Sequence, residues 1–504
     1  MKKLVLDGCS LHLDSFIEAL SSDIYVELSH EAIVEMQKSR NLVEEWIEHK
    51  EIVYGITTGF GEFANVSIPH NQIEALQENL ILSHSAGIGP FIPAHIVKGM
   101  MILRVNALAK GLSGIRVTTV QSLLDMINCG IIPAVPSQGS VGSSGDLAPL
   151  SHIALALIGK GKCMLSDGSI IKSEQALKNN NIEPVKLSAK EGLALINGTQ
   201  MMCTMGAIGV HKAMQLCDLA DISGALSLEA LRGTDKAFDE KLQKARGFTG
   251  QIESARRLRT LLQGSEIRES HRVGDGLVQD AYSLRCMPQV HGASRDAIQY
   301  VKNIIETELN AANDNPLIFS ETKEHIEGGN FHGQPLALAL DFLAIACAEL
   351  GSISERRTER LVNGALSNGL PRFLTKQGGL QSGMMIAQYT SASLVSENKV
   401  LCHPASVDSI PTSANQEDHN SMGSISARKA LDIIQNVQSI FAIELLCASQ
   451  GIDFHQPLKT SPLLQKIHHI IRESVPFDDT DSIVHNKITA ILHLVQNNAL
   501  DVTL

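Results

Sequence analysis

Gly139-Ser140-Val141-Gly142-Ser143-Ser144-Gly145-Asp146-Leu147-Ala148-Pro149-Leu150 is the stretch around which the rest of the chain is organised. Three glycines recur every three residues, with serines between them. Tracts of this composition are commonly linkers. A phosphate cradle would continue into Lys-Ser/Thr; none follows, which excludes a P-loop. A dinucleotide fingerprint needs a preceding strand, but Pro133 and Pro136 break the apolar run around Ile131–Val135 and argue against a central strand. The remaining reading is chemical. Gly145 has no side chain to obstruct a tight bend. Its amide nitrogen is therefore free to reach the Ser143 carbonyl carbon and close a five-membered ring. Loss of water from that ring and from the Ser144 side chain leaves an exocyclic methylidene, an electrophile made from backbone. Asp146 then stands as an N-cap, with Leu147, Leu150, Ile153, Ala154, Leu157 and Ile158 in helical register behind it. The positive end of that helix would favour negative charge developing at the ring.

The segment resembles the prosthetic-group segment of the aromatic amino acid ammonia-lyases, which form 4-methylideneimidazol-5-one autocatalytically, usually from Ala-Ser-Gly. The resemblance implies that cofactor, made from Ser143, Ser144 and Gly145, with no metal or nucleotide. Ser143 stands where alanine is usual. The ring uses only the backbone of that residue, so closure is expected, with a hydroxymethyl substituent.

Composition narrows the class. The 504 residues are 44% hydrophobic and 19% charged, the balance of a globular protein. Net charge is −12 with no basic block, which argues against nucleic acid or an anionic membrane as partner. Met1–Asp7 has too short an apolar stretch for a signal peptide, and no uninterrupted apolar run spans a bilayer. The nine cysteines contain no Cys-x-x-Cys pair and read as reduced thiols of a cytoplasmic protein. The histidines include no His-Glu-x-x-His, so no metal site is expected.

Further motifs carry the resemblance along residues 50–460. Residues 51–65 hold three glycines and two threonines and read as a loop around Tyr54. Glycine-hinged loops act as lids over active sites, and the matching family tyrosine is a catalytic base. In that role the Tyr54 phenol must ionise far below its usual value of about 10. Ser83-His84 ends a helical stretch from Gln72 and matches the pair that selects the substrate ring. Two hydrogen-bonding groups there suit an imidazole and strand a phenyl ring. Residues 162–190 read as a small hairpin-bearing excursion with a turn at Asp167-Gly168. Asn197, before Gly198, matches a residue placed near the prosthetic ring and the substrate carboxylate. Gln279, Tyr282 and Arg285 recur every three residues, so one helical turn would give them a common face. Arg285 is the natural fork for a carboxylate, with Gln279 and Tyr282 around the ring by family match. Tyr282 is the second candidate base. Phe331, in Gly328–Gly333, matches a residue beside the electrophile. Glu417, in Thr412–Met422, matches the acid that faces the side chain in histidine enzymes, where a carboxylate orients an imidazole N–H. Departures from the family pattern are Ser143, Asn420, Gln381 and Met384.

Long helical periodicities run from about Met205 to Leu231, Ile298 to Leu309, Leu336 to Leu361, Leu380 to Leu401 and Ala427 to Ala448. The expected fold is mainly α, with an N-terminal domain (1–200) carrying the tyrosine loop and ring-forming segment. An elongated bundle of long, roughly antiparallel helices (201–504) follows. Such surfaces commonly pack against copies of themselves, and the resemblance implies a homotetramer with shared active sites. It also implies a carbon–nitrogen lyase acting on L-histidine to give trans-urocanate and ammonia, the first step of histidine breakdown. The same electrophile acting on phenylalanine or tyrosine, as lyase or aminomutase, is the alternative. A non-catalytic helical oligomer would have no need of Tyr54, Ser144 or Arg285. A fumarase-like lyase would continue its Gly-Ser-Ser loop into Met-Pro-x-Lys.

Overall fold

The structure is a computed structural model; it describes residues 2–21, 24–59, 66, 68–165, 167–274, 276, 278–477 and 479–502. Residues 60–65 of the tyrosine loop lie outside the described residues. Among the described residues, nineteen α-helices and nine strands of two to four residues make the fold mainly α.

The chain divides into two compact units. The first comprises Met1–Ile208, Lys302–Asp341 and Pro404–Arg428; the second comprises Gly209–Val301, Phe342–His403 and Lys429–Leu504. In the first unit, Ser29 caps the helix His30–Glu48 by accepting the Ala32 amide at 3.0 Å. Its inner face puts Leu42, Val43 and Trp46 against Val53, Ile56, Ile73 and Ile318. Val53 and Ile56 flank Tyr54, so this cluster anchors the tyrosine turn from both sides. The helix Ala94–Ala109 is buried on nearly every face, the pattern of a core helix.

Every strand among the described residues belongs to the first unit. Lys3–Leu6 pairs in parallel with Tyr25–Leu28, Lys3 opposite Tyr25. Lys162–Met164 pairs antiparallel with both Ile132–Pro133 and Ile170–Lys172, which gives the expected hairpin beyond the ring-forming segment. Residues 66–130, read as helical, keep the helices Ile73–His84, Ala94–Ala109 and Val117–Asn128 but include the strand Ile88–Phe91. That strand pairs with Pro136–Gln138, immediately before Gly139. Pairing of a short edge tolerates Pro136 because a proline lacks only the donor.

In the second unit the described residues are helical or irregular. The helix expected from Leu380 begins at Met385. Gly383 adopts φ +54°, and a Cβ there would collide with the Phe373 carbonyl, so the chain bends before the helix can start. The last long helix, Gly423–Asp453, runs through Gly451 instead of stopping before it. A Cβ on Gly451 would come within 2.9 Å of Ala230 Cβ, so this glycine serves close packing. Among the described residues, two helices, Gln334–Val362 and Gly423–Asp453, are long and apolar enough by length and composition to cross a bilayer, although charges such as Asp341 and Glu349 interrupt their apolar runs. Their most apolar windows are 67% and 72% buried within the protein, the pattern of core helices.

Candidate active site

Steric necessity shapes the ring-forming stretch. Gly142 and Gly145 adopt φ +71° and +72°, a region that disfavours side chains. A Cβ at Gly142 would strike the Ser421 hydroxyl, and one at Gly145 would strike the Gly198 carbonyl. The Asp146 amide donates to that same Gly198 carbonyl at 2.6 Å. Asn197 Nδ2 donates to the Ser144 carbonyl oxygen at 3.0 Å. Ser421 Oγ and the Gly333 amide donate to the Gly142 carbonyl at 2.9 and 3.1 Å. The Met422 amide donates to the Val141 carbonyl at 2.9 Å. A tight turn with glycine at the closing position and a held Ser144 carbonyl fits a ring built from Ser143, Ser144 and Gly145.

Asp146 does precede the helix Leu147–Leu157, but its side chain makes no cap bond to that helix. Its Oδ2 accepts the amides of Met201 and Met202 at 2.9 and 3.0 Å, in the first turn of the helix Gln200–Ala230. Asp146 thus ties the ring-forming turn to a second helix start. Burial pushes its carboxyl up to about 7, opposed by those amides and the Ser140 hydroxyl.

A cavity of about 600 Å³ opens on this stretch, lined in part by Tyr54, Ser143, Ser144, Phe331 and Glu417. Glu417 Oε1 accepts from Ser144 Oγ, and Oε2 accepts from Ser143 Oγ and Thr412 Oγ1, each at 2.8 Å. Thr412 and Glu417 close their own turn, the Thr412 amide donating to the Glu417 carbonyl at 2.9 Å. Ser83 Oγ donates to the Leu80 carbonyl at 3.1 Å and lies 3.1 Å from His84 Nδ1. Burial holds the His84 imidazole below its usual range, against the pull of the Leu80 carbonyl and the Glu417 charge. His84 is therefore neutral at neutral pH and lies within the field of Glu417. Asn197 is buried and reaches the site through the Ser144 carbonyl.

Gln279, Tyr282 and Arg285 belong to the second unit. Helix Tyr282–Arg285 is only four residues long, and Gln279 precedes it, so the three do not share one helical face as their spacing suggested. The Arg285 guanidinium stacks 4.7 Å from the ring centre of Tyr282, which is 70% exposed. Motif reading missed His332 and His419, which line the cavity and stack with ring centres 5.9 Å apart. Each sits beside a residue that was singled out, but neither histidine had a signal of its own.

A family model described as aromatic amino acid lyase matches residues 11–473. The chain belongs to the aromatic amino acid lyase family. Histidine ammonia-lyase of Gloeobacter violaceus is 51% identical over 497 residues, 99% of this chain and 96% of that one. Among aromatic amino acid lyases of known structure, histidine ammonia-lyase from Trypanosoma cruzi is 46% identical with TM-score 0.92, covering 99% of this chain and 94% of that one. Tyrosine aminomutase from Streptomyces globisporus is 38% identical with TM-score 0.93, covering 99% and 97%. The family fold therefore carries more than one chemistry, and the choice between them rests on the cavity residues.

Proposed function

We propose that this chain catalyses the non-oxidative deamination of L-histidine to trans-urocanate and ammonia. The observation that carries the reading is Glu417. Its carboxylate lies on the hydroxyls of both ring-forming serines, inside a cavity of substrate size, with neutral His84 in its field. That environment offers acceptors to an imidazole and nothing to a phenyl ring.

Making the prosthetic group from Ser143-Ser144-Gly145 would release two waters. Gly145 N bonds to the Ser143 carbonyl carbon, whose oxygen leaves as water with the amide hydrogens of Ser144 and Gly145. The Ser144 hydroxyl leaves as water with its own Cα hydrogen. When formed, the group supplies an electrophile that activates the substrate for loss of its amine. The chain's residues do the rest. Glu417 accepts the imidazole N–H and orients the ring. Tyr54, which lines the same cavity, takes the β-proton. The C–N bond breaks, the double bond forms and ammonia departs. Phe331 walls the cavity that Ser143 and Ser144 also line. Gln279, Tyr282 and Arg285 complete the site from a neighbouring subunit of a homotetramer, Arg285 taking the carboxylate as a bidentate fork. Nine scattered cysteines without a Cys-x-x-Cys pair fit a reducing cytoplasmic setting.

The test is absorbance of urocanate against cinnamate formed from equal concentrations of histidine and phenylalanine. Each polar group left unpaired by a phenyl ring costs about 1–3 kcal/mol. Two such groups give a preference on the order of a thousandfold for histidine. Equal rates would replace this reading by the phenylalanine or tyrosine alternative.

A further inference from the structure

Arg104 is, with Arg357, one of the two largest fully buried side chains among the described residues, at 1% exposure, in the middle of the core helix Ala94–Ala109. No carboxylate among the described residues hydrogen-bonds to it. Its Nη1 donates to the Asn197 backbone carbonyl at 2.7 Å and to Gln200 Oε1 at 3.2 Å. Its Nε and Nη2 have no hydrogen-bond partner among the described residues. Leaving a buried guanidinium so poorly paired is costly. Burial pushes its pKa down only to about 10, against the pull of Asp314, so it stays charged at neutral pH. Asp314 is itself taken by Lys190, at 2.7 Å.

Asn197, which Arg104 grips by its backbone carbonyl, is the residue whose side chain reaches the Ser144 carbonyl oxygen. Beside it, Gly198 is enclosed so tightly that a Cβ would collide with Arg104 Nη1 and lie 2.7 Å from Asn313 Oδ1. Gln200 Nε2 donates onward to Asn313 Oδ1 at 3.0 Å, and Asn313 Nδ2 to Thr199 Oγ1 at 2.9 Å. The Asn197–Gly198 turn is thus clamped from behind by a cation and an amide network. Conjugation puts negative charge on the Ser144 oxygen whenever a nucleophile adds to a methylidene at residue 144. A donor held rigidly at that oxygen stabilises the developing charge.

We propose that Arg104 is a positioning residue for the electrophile: by holding the Asn197 carbonyl it fixes the amide that Asn197 presents to the Ser144 oxygen, and so sets the reactivity of the prosthetic group. The inference rests on the reading of Ser143-Ser144-Gly145 as the ring. A purely structural role would lower thermal stability without changing the reactivity of protein that is folded.

The experiment uses the full-length protein and cyanide as a small nucleophile, with uptake of one hydrogen cyanide per chain followed by intact mass. The variants are Arg104→Lys, Arg104→Gln, Asn197→Ala and the Arg104→Lys/Asn197→Ala double variant. Arg104→Gln keeps a neutral donor and stands in should the lysine variant fail to fold. The expected result is that folded Arg104→Lys takes up cyanide about tenfold more slowly, the equivalent of one hydrogen bond to a charged group. In the Asn197→Ala background the same change has little further effect, since groups acting through one another are non-additive. With histidine, kcat falls and KM stays near its original value. An unchanged trapping rate in a variant with lowered Tm overturns the proposal, as does an undiminished Arg104→Lys effect in the Asn197→Ala background. If the unmodified chain shows no loss of two waters, the reading of the ring fails first, and the proposal falls with it.

Discussion

Ser143 and Glu417 concentrate the proposed chemistry at the scale of single residues. The Glu417 carboxylate has its two oxygens differently engaged. Oε2 holds Ser143 and Thr412, while Oε1 holds the Ser144 hydroxyl that ring formation removes. The proposed dehydration of Ser144 would therefore clear one carboxylate oxygen for the proposed substrate. Ser143→Ala should still form the ring, because closure uses only the backbone of that residue. It removes one tether from Oε2, so KM for histidine should rise about fivefold, the effect of losing about 1 kcal/mol. Loss of the two-water mass deficit in that variant would contradict this account. Glu417→Ala should leave the mass deficit intact and cut histidine turnover by a hundredfold or thereabouts, about 3 kcal/mol for a charged acceptor. Turnover near that of the unmodified protein would remove Glu417 from substrate recognition. These residues were legible from sequence because each sits in a short polar motif with matching family chemistry. Arg104 was not singled out, although a lone arginine within Met100-Met101-Ile102-Leu103-Arg104-Val105 is a visible anomaly. A cation inside an apolar run shows that something buried needs it, but only the fold shows that the need is at Asn197.

Helix ends do the positioning at the scale of elements. Sequence placed the N-cap of Leu147–Leu157 correctly at Asp146 but gave its carboxylate the wrong helix. A local pattern has no means of revealing a helix start more than fifty residues away, and the amides of Met201 and Met202 win because they are the unsatisfied donors that the fold brings there. The long helices were legible because their apolar spacing persists over many turns. Their ends were less so, as Met385 and Gly451 show, because close packing and bends decide them. The Asp146 linkage predicts a pH dependence. Its carboxyl lies near 7 in the folded chain, above the ordinary 3.8. A raised folded value means that the folded state binds the proton more tightly. The stabilisation is then complete below the unfolded value and is lost as pH rises through about 7. Asp146→Asn has no such group. The Tm difference between variant and unmodified protein should therefore shift in favour of the variant between about pH 4 and pH 8. A difference that stays constant, or moves the other way, would show that the amides of Met201 and Met202 hold the carboxylate ionised.

At the scale of the whole molecule, the cavity-lining residues Tyr54, Ser143, Ser144, Phe331 and Glu417 come from one unit, while Gln279, Tyr282 and Arg285 belong to the other. The sequence could name both sets but not distribute them, because assembly depends on surfaces that no motif records. The proposed tetramer predicts complementation. Tyr54→Phe and Arg285→Ala chains, each inactive alone, should regain part of the activity when mixed through refolding. A fully active monomer in sedimentation would refute the shared site. Beneath every one of these expectations lies the conversion of Ser143-Ser144-Gly145 into an electrophile, which intact-mass measurement of the unmodified chain reads directly. The account predicts a mass lower than that of the sequence by two waters, with the deficit confined to the peptide that contains residues 143–145. The full mass of the unmodified sequence, in protein that turns over histidine, would contradict it.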